Sequence, residues 1–204
     1  MSMRNRIQKI IAVLIIVGVV VAPTHSIVNA MSTNELRELD KEVSNIQKYF
    51  VVKDDGNVIY DRDAALQDGV SGKQLDLADQ VYAFGLSQSN DNEKITIRGS
   101  SQSMAAAQKK AIAFPVYGNW CGPYYGSGTP IDLLDKGCKN HDVCYENKGR
   151  HKCSCDKTFL SYINTNYNKM TGVKQKAMAK VIKAWLQIKT SNVTKKGGNF
   201  SCKK

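Results

Sequence analysis

The run Cys138-Lys139-Asn140-His141-Asp142-Val143-Cys144-Tyr145 concentrates the reactive side chains of this chain. A histidine stands directly beside an aspartate, and a cysteine lies three residues away on either side. Upstream is a glycine-rich loop, Trp120-Cys121-Gly122-Pro123-Tyr124-Tyr125-Gly126-Ser127-Gly128, and downstream is Cys153-Ser154-Cys155-Asp156. An imidazole titrates near neutrality and can take a proton from water. Carboxylates and loop carbonyls are hard oxygen donors of the kind calcium selects. A base, a carboxylate beside it, a flexible oxygen-rich loop and a second carboxylate are together the parts of a calcium-assisted hydrolase.

Helices must present these groups. Thr129-Pro130-Ile131-Asp132 closes the glycine loop and can cap a helix beginning near Leu133. Leu134, Cys138, His141 and Tyr145 recur at helical spacing, and Gly149 ends the run. A second helix is expected from Cys153 through Phe159, Leu160 and Ile163 to about Tyr167. Cysteines on both imply an antiparallel, stapled pair. A third helix is expected over Val173–Ile188. Ala177, Val181, Trp185 and Ile188 lie on one face, surrounded by Lys174, Lys176, Lys180, Lys183 and Lys189.

The first 30 residues look like an address rather than fold. Arg4, Arg6 and Lys9 precede an apolar run from Ile10 to Val21, short for a membrane span, and Val28-Asn29-Ala30 suits a signal peptidase. Cleavage after Ala30 and secretion are expected; an uncleaved signal anchor is the alternative. All six cysteines, Cys121, Cys138, Cys144, Cys153, Cys155 and Cys202, lie beyond this segment. An even number in an oxidising compartment implies three disulfides, with about 15 connectivities open. A zinc site using cysteines and His141 is a competing reading, but the spacing fits no usual zinc pattern.

Charge divides the remainder. Residues 31–112 carry 10 Lys+Arg against 13 Asp+Glu, and residues 113–204 carry 16 against 5. The net charges are therefore −3 and +11, and only the second part contains cysteine. This argues for two modules with different jobs: an acidic N-terminal region, which reads as small and α+β or helical, and a basic, cysteine-bearing module, which the helix patterns above make mainly α. A basic exported domain fits an anionic membrane surface better than nucleic acid, for which no motif is present. A merely solubilising lysine surface is the bland alternative. In the acidic region, Thr33 or Asn34 can cap a helix carrying Leu36, Leu39, Val43, Ile46 and Phe50. Tyr49–Lys53 and Val58–Tyr60 flank Asp54-Asp55-Gly56-Asn57 as a hairpin. Helical patterns follow at Asp63–Gln67 and Leu75–Gly85. From Gln88 to Ser103 the chain is polar and turn-rich, as a linker would be, and Lys109-Lys110 could be a processing point. Residues 31–112 are thus a candidate pro-region, expected in intramolecular contact with residues 113–204.

The ordered set Cys121-Gly122, Gly126, Gly128, Pro130-x-Asp132-x-x-Asp135, Cys138-x-x-His141-Asp142-x-Cys144-Tyr145 and Cys153-x-Cys155-Asp156 resembles secreted phospholipase A2, in a compact, bacterial-type variant. The resemblance covers about Trp120 to Ile163 and does not reach residues 31–112. It implies calcium-dependent hydrolysis of the sn-2 ester of a glycerophospholipid, a carboxylic ester hydrolysis giving a lysophospholipid and a fatty acid. In that reading His141 is the general base and Asp156 its partner, with Tyr145 holding Asp156. Asp142 and the carbonyls of Trp120, Gly122 and Tyr124 or Tyr125 bind calcium, and the Gly122 N–H donates to the oxyanion. The resemblance also implies Cys121–Cys138 and Cys144–Cys155 bridges, which leaves Cys153 for Cys202. Trp185, Lys180 and Lys183 are expected at an anionic membrane.

The chain departs from the family pattern in places. The loop before Pro130 is one residue longer, Tyr124-Tyr125 replaces a glycine pair, and Gly137 stands where many members have cysteine. The Cys144–Cys153 connector is too short for the β-hairpin wing of the animal forms. A non-enzymatic, membrane-perturbing toxin on the same scaffold is the main rival, and a stapled cationic binding protein the second.

Overall fold

A computed structural model describes residues 24–52, 58–88, 95–102, 104–105, 117–122, 126–149 and 152–191. In chain order these form α1 (Thr24–Ile46), β1 (Phe50–Val52), β2 (Val58–Asp61), α2 (Arg62–Gln67), α3 (Gly72–Gln88), β3 (Ile95–Arg98), α4 (Leu133–Lys148), α5 (Cys153–Asn166) and α6 (Val173–Thr190). The fold is mainly helical, with one three-stranded sheet.

The expected helix pair is present. The Asp132 side chain caps α4 by accepting from the Asp135 N–H, and Gly149, at φ +93°, ends it. Cys144 near the end of α4 bridges to Cys155 near the start of α5. The Tyr162 hydroxyl, far along α5, donates to the Leu133 carbonyl at the start of α4. The two helices are therefore antiparallel. A second bridge, Cys121–Cys138, ties the glycine loop to α4. Both pairs are those the family resemblance implies. Cys153 is also disulfide-bonded, while Cys202 lies outside the described residues.

Gly137 explains one departure from the family pattern. A Cβ at this position would sit 2.7 Å from Cε1 of Tyr162 and 2.8 Å from the Phe159 ring. The two aromatics fill the space a side chain would need, so a cysteine has no room. We expect Gly137→Ala to lower stability by about 1–3 kcal/mol through overpacking, despite a helix-propensity gain of about 1 kcal/mol. Thermal unfolding checks this; an unchanged or higher midpoint would contradict it.

The N-terminal region departs from expectation in two places. First, α1 begins at Thr24, so Thr33 and Asn34 lie within the helix rather than at its start. The segment from Thr24 to Ile46 contains neither glycine nor proline, and nothing in it breaks the helix. Asn34 instead accepts from Arg37 one turn on. Ala30, the expected cleavage point, thus falls inside α1. Second, the polar stretch expected to be a linker contains β3, which pairs in parallel with β2. The hairpin strands appear as expected, β1 antiparallel to β2. The Lys109-Lys110 pair and the 53–57 turn lie outside the described residues.

The acidic and basic parts share one hydrophobic core. Leu39, Val43 and Ile46 of α1, Val81 and Phe84 of α3, Phe159 and Ile163 of α5 and Ile182, Trp185 and Ile188 of α6 form a single buried cluster. Gly85 of α3 lets α6 approach closely, since a Cβ there would lie 2.5 Å from the Trp185 ring. Helix α6 is covered from two sides, so its buried set runs through Met178, Val181, Ile182, Ala184, Trp185, Leu186 and Ile188, while Ala177 is exposed. This corrects the expected membrane residues. Trp185 is 7 % exposed and Lys183 1 %. Lys183 pairs with Asp40 of α1, which also accepts from Gln187 at 2.7 Å. Lys180 is half-buried. Trp185 and Lys183 face the N-terminal helices, not a lipid surface. No helix among the described residues is long and apolar enough to cross a membrane; the run from Ile10 to Val21 is outside them.

Candidate active site

Helix spacing puts His141 and Tyr145 one turn apart on α4, facing α5. The first turn of α5 carries Asp156, its side chain 3 % exposed. His141 Nε2 lies 2.8 Å from Asp156 Oδ1. The Tyr145 hydroxyl donates to the same oxygen. The imidazole is also bracketed by aromatic rings, Tyr145 at 4.2 Å and Phe159 at 5.0 Å between centroids. These contacts fix the ring plane. With Nε2 committed to the carboxylate, Nδ1 is the nitrogen left to accept a proton from water. The expected dyad and its tyrosine are thus brought together.

Asp156 is ionised despite its burial. Burial pushes its carboxyl up, but the hydrogen bond from His141, the charges of Lys189 and His141 and the Tyr145 bond outweigh it. The net effect holds the group below the usual carboxylate range. A charged partner can stabilise an imidazolium as it forms; a protonated one cannot.

The glycine loop is organised by a residue to which the sequence assigned no role. Asp135, fully buried on α4, accepts from the Asn119, Trp120 and Ile131 N–H groups at distances of 2.8–3.1 Å. Gly118 has φ +64°, and a Cβ there would be 2.4 Å from the Asp135 carboxylate. The backbone therefore closes directly over that carboxylate. Farther along, Trp120 Nε1 donates to the Gly128 carbonyl at 3.1 Å, and Lys139 Nζ lies 4.8 Å from the centre of the Trp120 ring. Asp135→Asn replaces one acceptor oxygen with a donor that opposes these N–H groups. We expect a loss of about 1–3 kcal/mol and weaker calcium binding. Thermal unfolding and a calcium titration check this, and unchanged values in both would contradict it.

The donors fit a hard cation in kind. Asp142 follows the base on α4 and is half-buried. Among the described residues no three His, Cys, Asp or Glu side chains cluster as a metal site, so a hard cation here would need carbonyl oxygens as well. Cys121, Cys138, Cys144, Cys153 and Cys155 are all disulfide-bonded, which leaves no thiolate for a soft metal among the described residues and argues against the zinc reading. Tyr124 and Tyr125 lie outside the described residues. Gly122 differs from expectation. Its N–H donates to the Trp120 carbonyl at 3.2 Å, so in this arrangement the expected oxyanion donor is already engaged. The Trp120 carbonyl keeps a second lone pair.

A stapled helix pair holding a His-Asp dyad beside a glycine loop defines a disulfide-bonded, helical scaffold. A sequence model of the phospholipase A2 family matches residues 98–193. Over 51 residues the chain is 47 % identical to basic phospholipase A2 nigroxin A of Micrurus nigrocinctus, covering 25 % of this chain and 42 % of that protein. It is 48 % identical over 58 residues to the acidic phospholipase A2 homolog taipoxin gamma chain of Oxyuranus scutellatus scutellatus, covering 28 % and 36 %. It is 38 % identical over 53 residues to phospholipase A2 SSD387 of Scolopendra dehaani, covering 26 % and 35 %. The chain therefore spans less than half the length of these relatives. No solved structure matches it. The cysteine-bearing part of this chain belongs to the phospholipase A2 family.

Proposed function

We propose that the protein is a secreted, calcium-dependent phospholipase A2 that hydrolyses the sn-2 ester of glycerophospholipids. The observation that carries this reading is the His141–Asp156 pair at 2.8 Å, with Asp156 buried and His141 largely so, beside Asp142 in the chain. His141 Nδ1 takes a proton from water, and the water oxygen attacks the ester carbonyl. Asp156 holds the imidazole in one tautomer and stabilises its cation. The proton then passes to the departing glycerol oxygen. Asp142, with the Trp120 carbonyl and other loop carbonyls, would hold calcium, which when bound polarises the ester carbonyl and offsets oxyanion charge. Water is the nucleophile, and among the described residues no serine or cysteine side chain hydrogen-bonds to His141 to support an acyl-enzyme.

The substrate is presented at a membrane surface, for which an anionic lipid is the expected partner. With Trp185 and Lys183 buried, we assign this contact to the surface near the glycine loop. There Ile131 is 62 % exposed and Lys136 is exposed. The chemical test uses a glycerophospholipid with different acyl chains at its two positions. Release of only the sn-2 chain, with the matching lysophospholipid, is expected. Release of the sn-1 chain would contradict the assignment. Leakage of ether-lipid vesicles without any hydrolysis would favour the membrane-perturbing toxin instead.

A further inference from the structure

The two oxygens of Asp156 are used differently. Oδ1 takes His141 and Tyr145. Oδ2 faces Nζ of Lys189 at 3.3 Å. The same ammonium donates to the Tyr145 hydroxyl oxygen at 2.9 Å and lies 5.4 Å from the centre of the Tyr145 ring. The Lys189 side chain is 10 % exposed, so solvent screens this contact little. Lys189 comes from the last turn of α6, an element outside the His141 and Asp156 helices.

We propose that Lys189 is a positioning residue of the dyad, holding Asp156 Oδ2 and the Tyr145 hydroxyl so that Oδ1 stays aimed at the His141 ring. The role rests on the hydrolase reading above. The χ2 torsion of an aspartate is broad and roughly two-fold. A carboxylate gripped at one oxygen can swing about it, whereas a cation at the second oxygen fixes its plane. The cation also compensates the buried negative charge. Helix α6 is itself held by the N-terminal region, through Asp40 on Lys183 and Gln187 and through Trp185 against Gly85. The acidic region thus sets where Lys189 stands, and through it the geometry of the dyad.

The test compares the full chain with its Lys189→Met and Lys189→Arg variants on phosphatidylglycerol vesicles with calcium. Lys189→Met is expected to lower kcat by about 10- to 100-fold, the worth of one charged hydrogen bond, with KM unchanged. Lys189→Arg should recover most of the loss. An unchanged kcat in Lys189→Met, or equal losses in both variants, would overturn the role. A second measurement needs no substitution at this position. The Lys189 ammonium of the unaltered chain should give a slowly exchanging signal by nitrogen-edited NMR, lost in Asp156→Asn. A fast-exchanging ammonium would overturn the pairing, even if Lys189→Met failed to fold. Should the unaltered chain hydrolyse no lipid, the enzyme reading fails, and the ammonium signal still decides whether Lys189 holds Asp156.

Discussion

His141→Gln is expected to lower calcium-dependent phospholipid hydrolysis by at least about 100-fold, the usual worth of a general base. Glutamine matches the imidazole in polarity and roughly in size, and it can donate to Asp156 Oδ1. It cannot accept a proton from water near neutral pH. The ring it replaces is 14 % exposed and packed between Tyr145 and Phe159, so a modest drop in thermal stability is expected beside the large loss of rate. Steady-state kinetics and an unfolding curve on the same preparation separate the two effects. Retention of near-normal kcat would remove His141 from the chemistry.

Asp142→Lys should have a comparable effect by a different route. It exchanges the carboxylate that follows the base in the chain for an ammonium of opposite sign, in a place where a divalent cation is expected. Hydrolysis should fall to background, and added calcium should no longer restore it. Trp120 lies in the glycine loop, and its fluorescence provides a direct readout. The unaltered chain should respond to calcium and the variant should not. The His141–Asp156 contact is made between their own side chains, and the dyad should remain assembled in this variant. A calcium response equal to that of the unaltered chain would place the metal elsewhere.

The site was legible where its chemistry is local. The Asp132 cap and Gly149 stop frame α4, and helical spacing alone places His141 and Tyr145 on one face. Asp156 could be paired with them through the family resemblance, and the Cys144–Cys155 bridge holds it beside the same helix. What escaped was set by tertiary packing. β3 lies in a polar stretch, and only its pairing with β2 makes it a strand. Trp185 and Lys183 have the composition of a membrane face, but Gly85 and Asp40, which are 100 and 143 residues away in the chain, cover them. Asp135 is one acid among several near the loop, and its importance comes from three N–H groups converging on it. Lys189 is one of many lysines on α6, and nothing in its neighbours marks it as the one that reaches Asp156.

The most direct measurement is the initial rate of sn-2 fatty acid release from a labelled glycerophospholipid, taken with calcium, after excess chelator, and after calcium is restored. A calcium-assisted His141–Asp156 hydrolase gives release that stops on chelation and returns with the metal. Release that continues undiminished in excess chelator would contradict it.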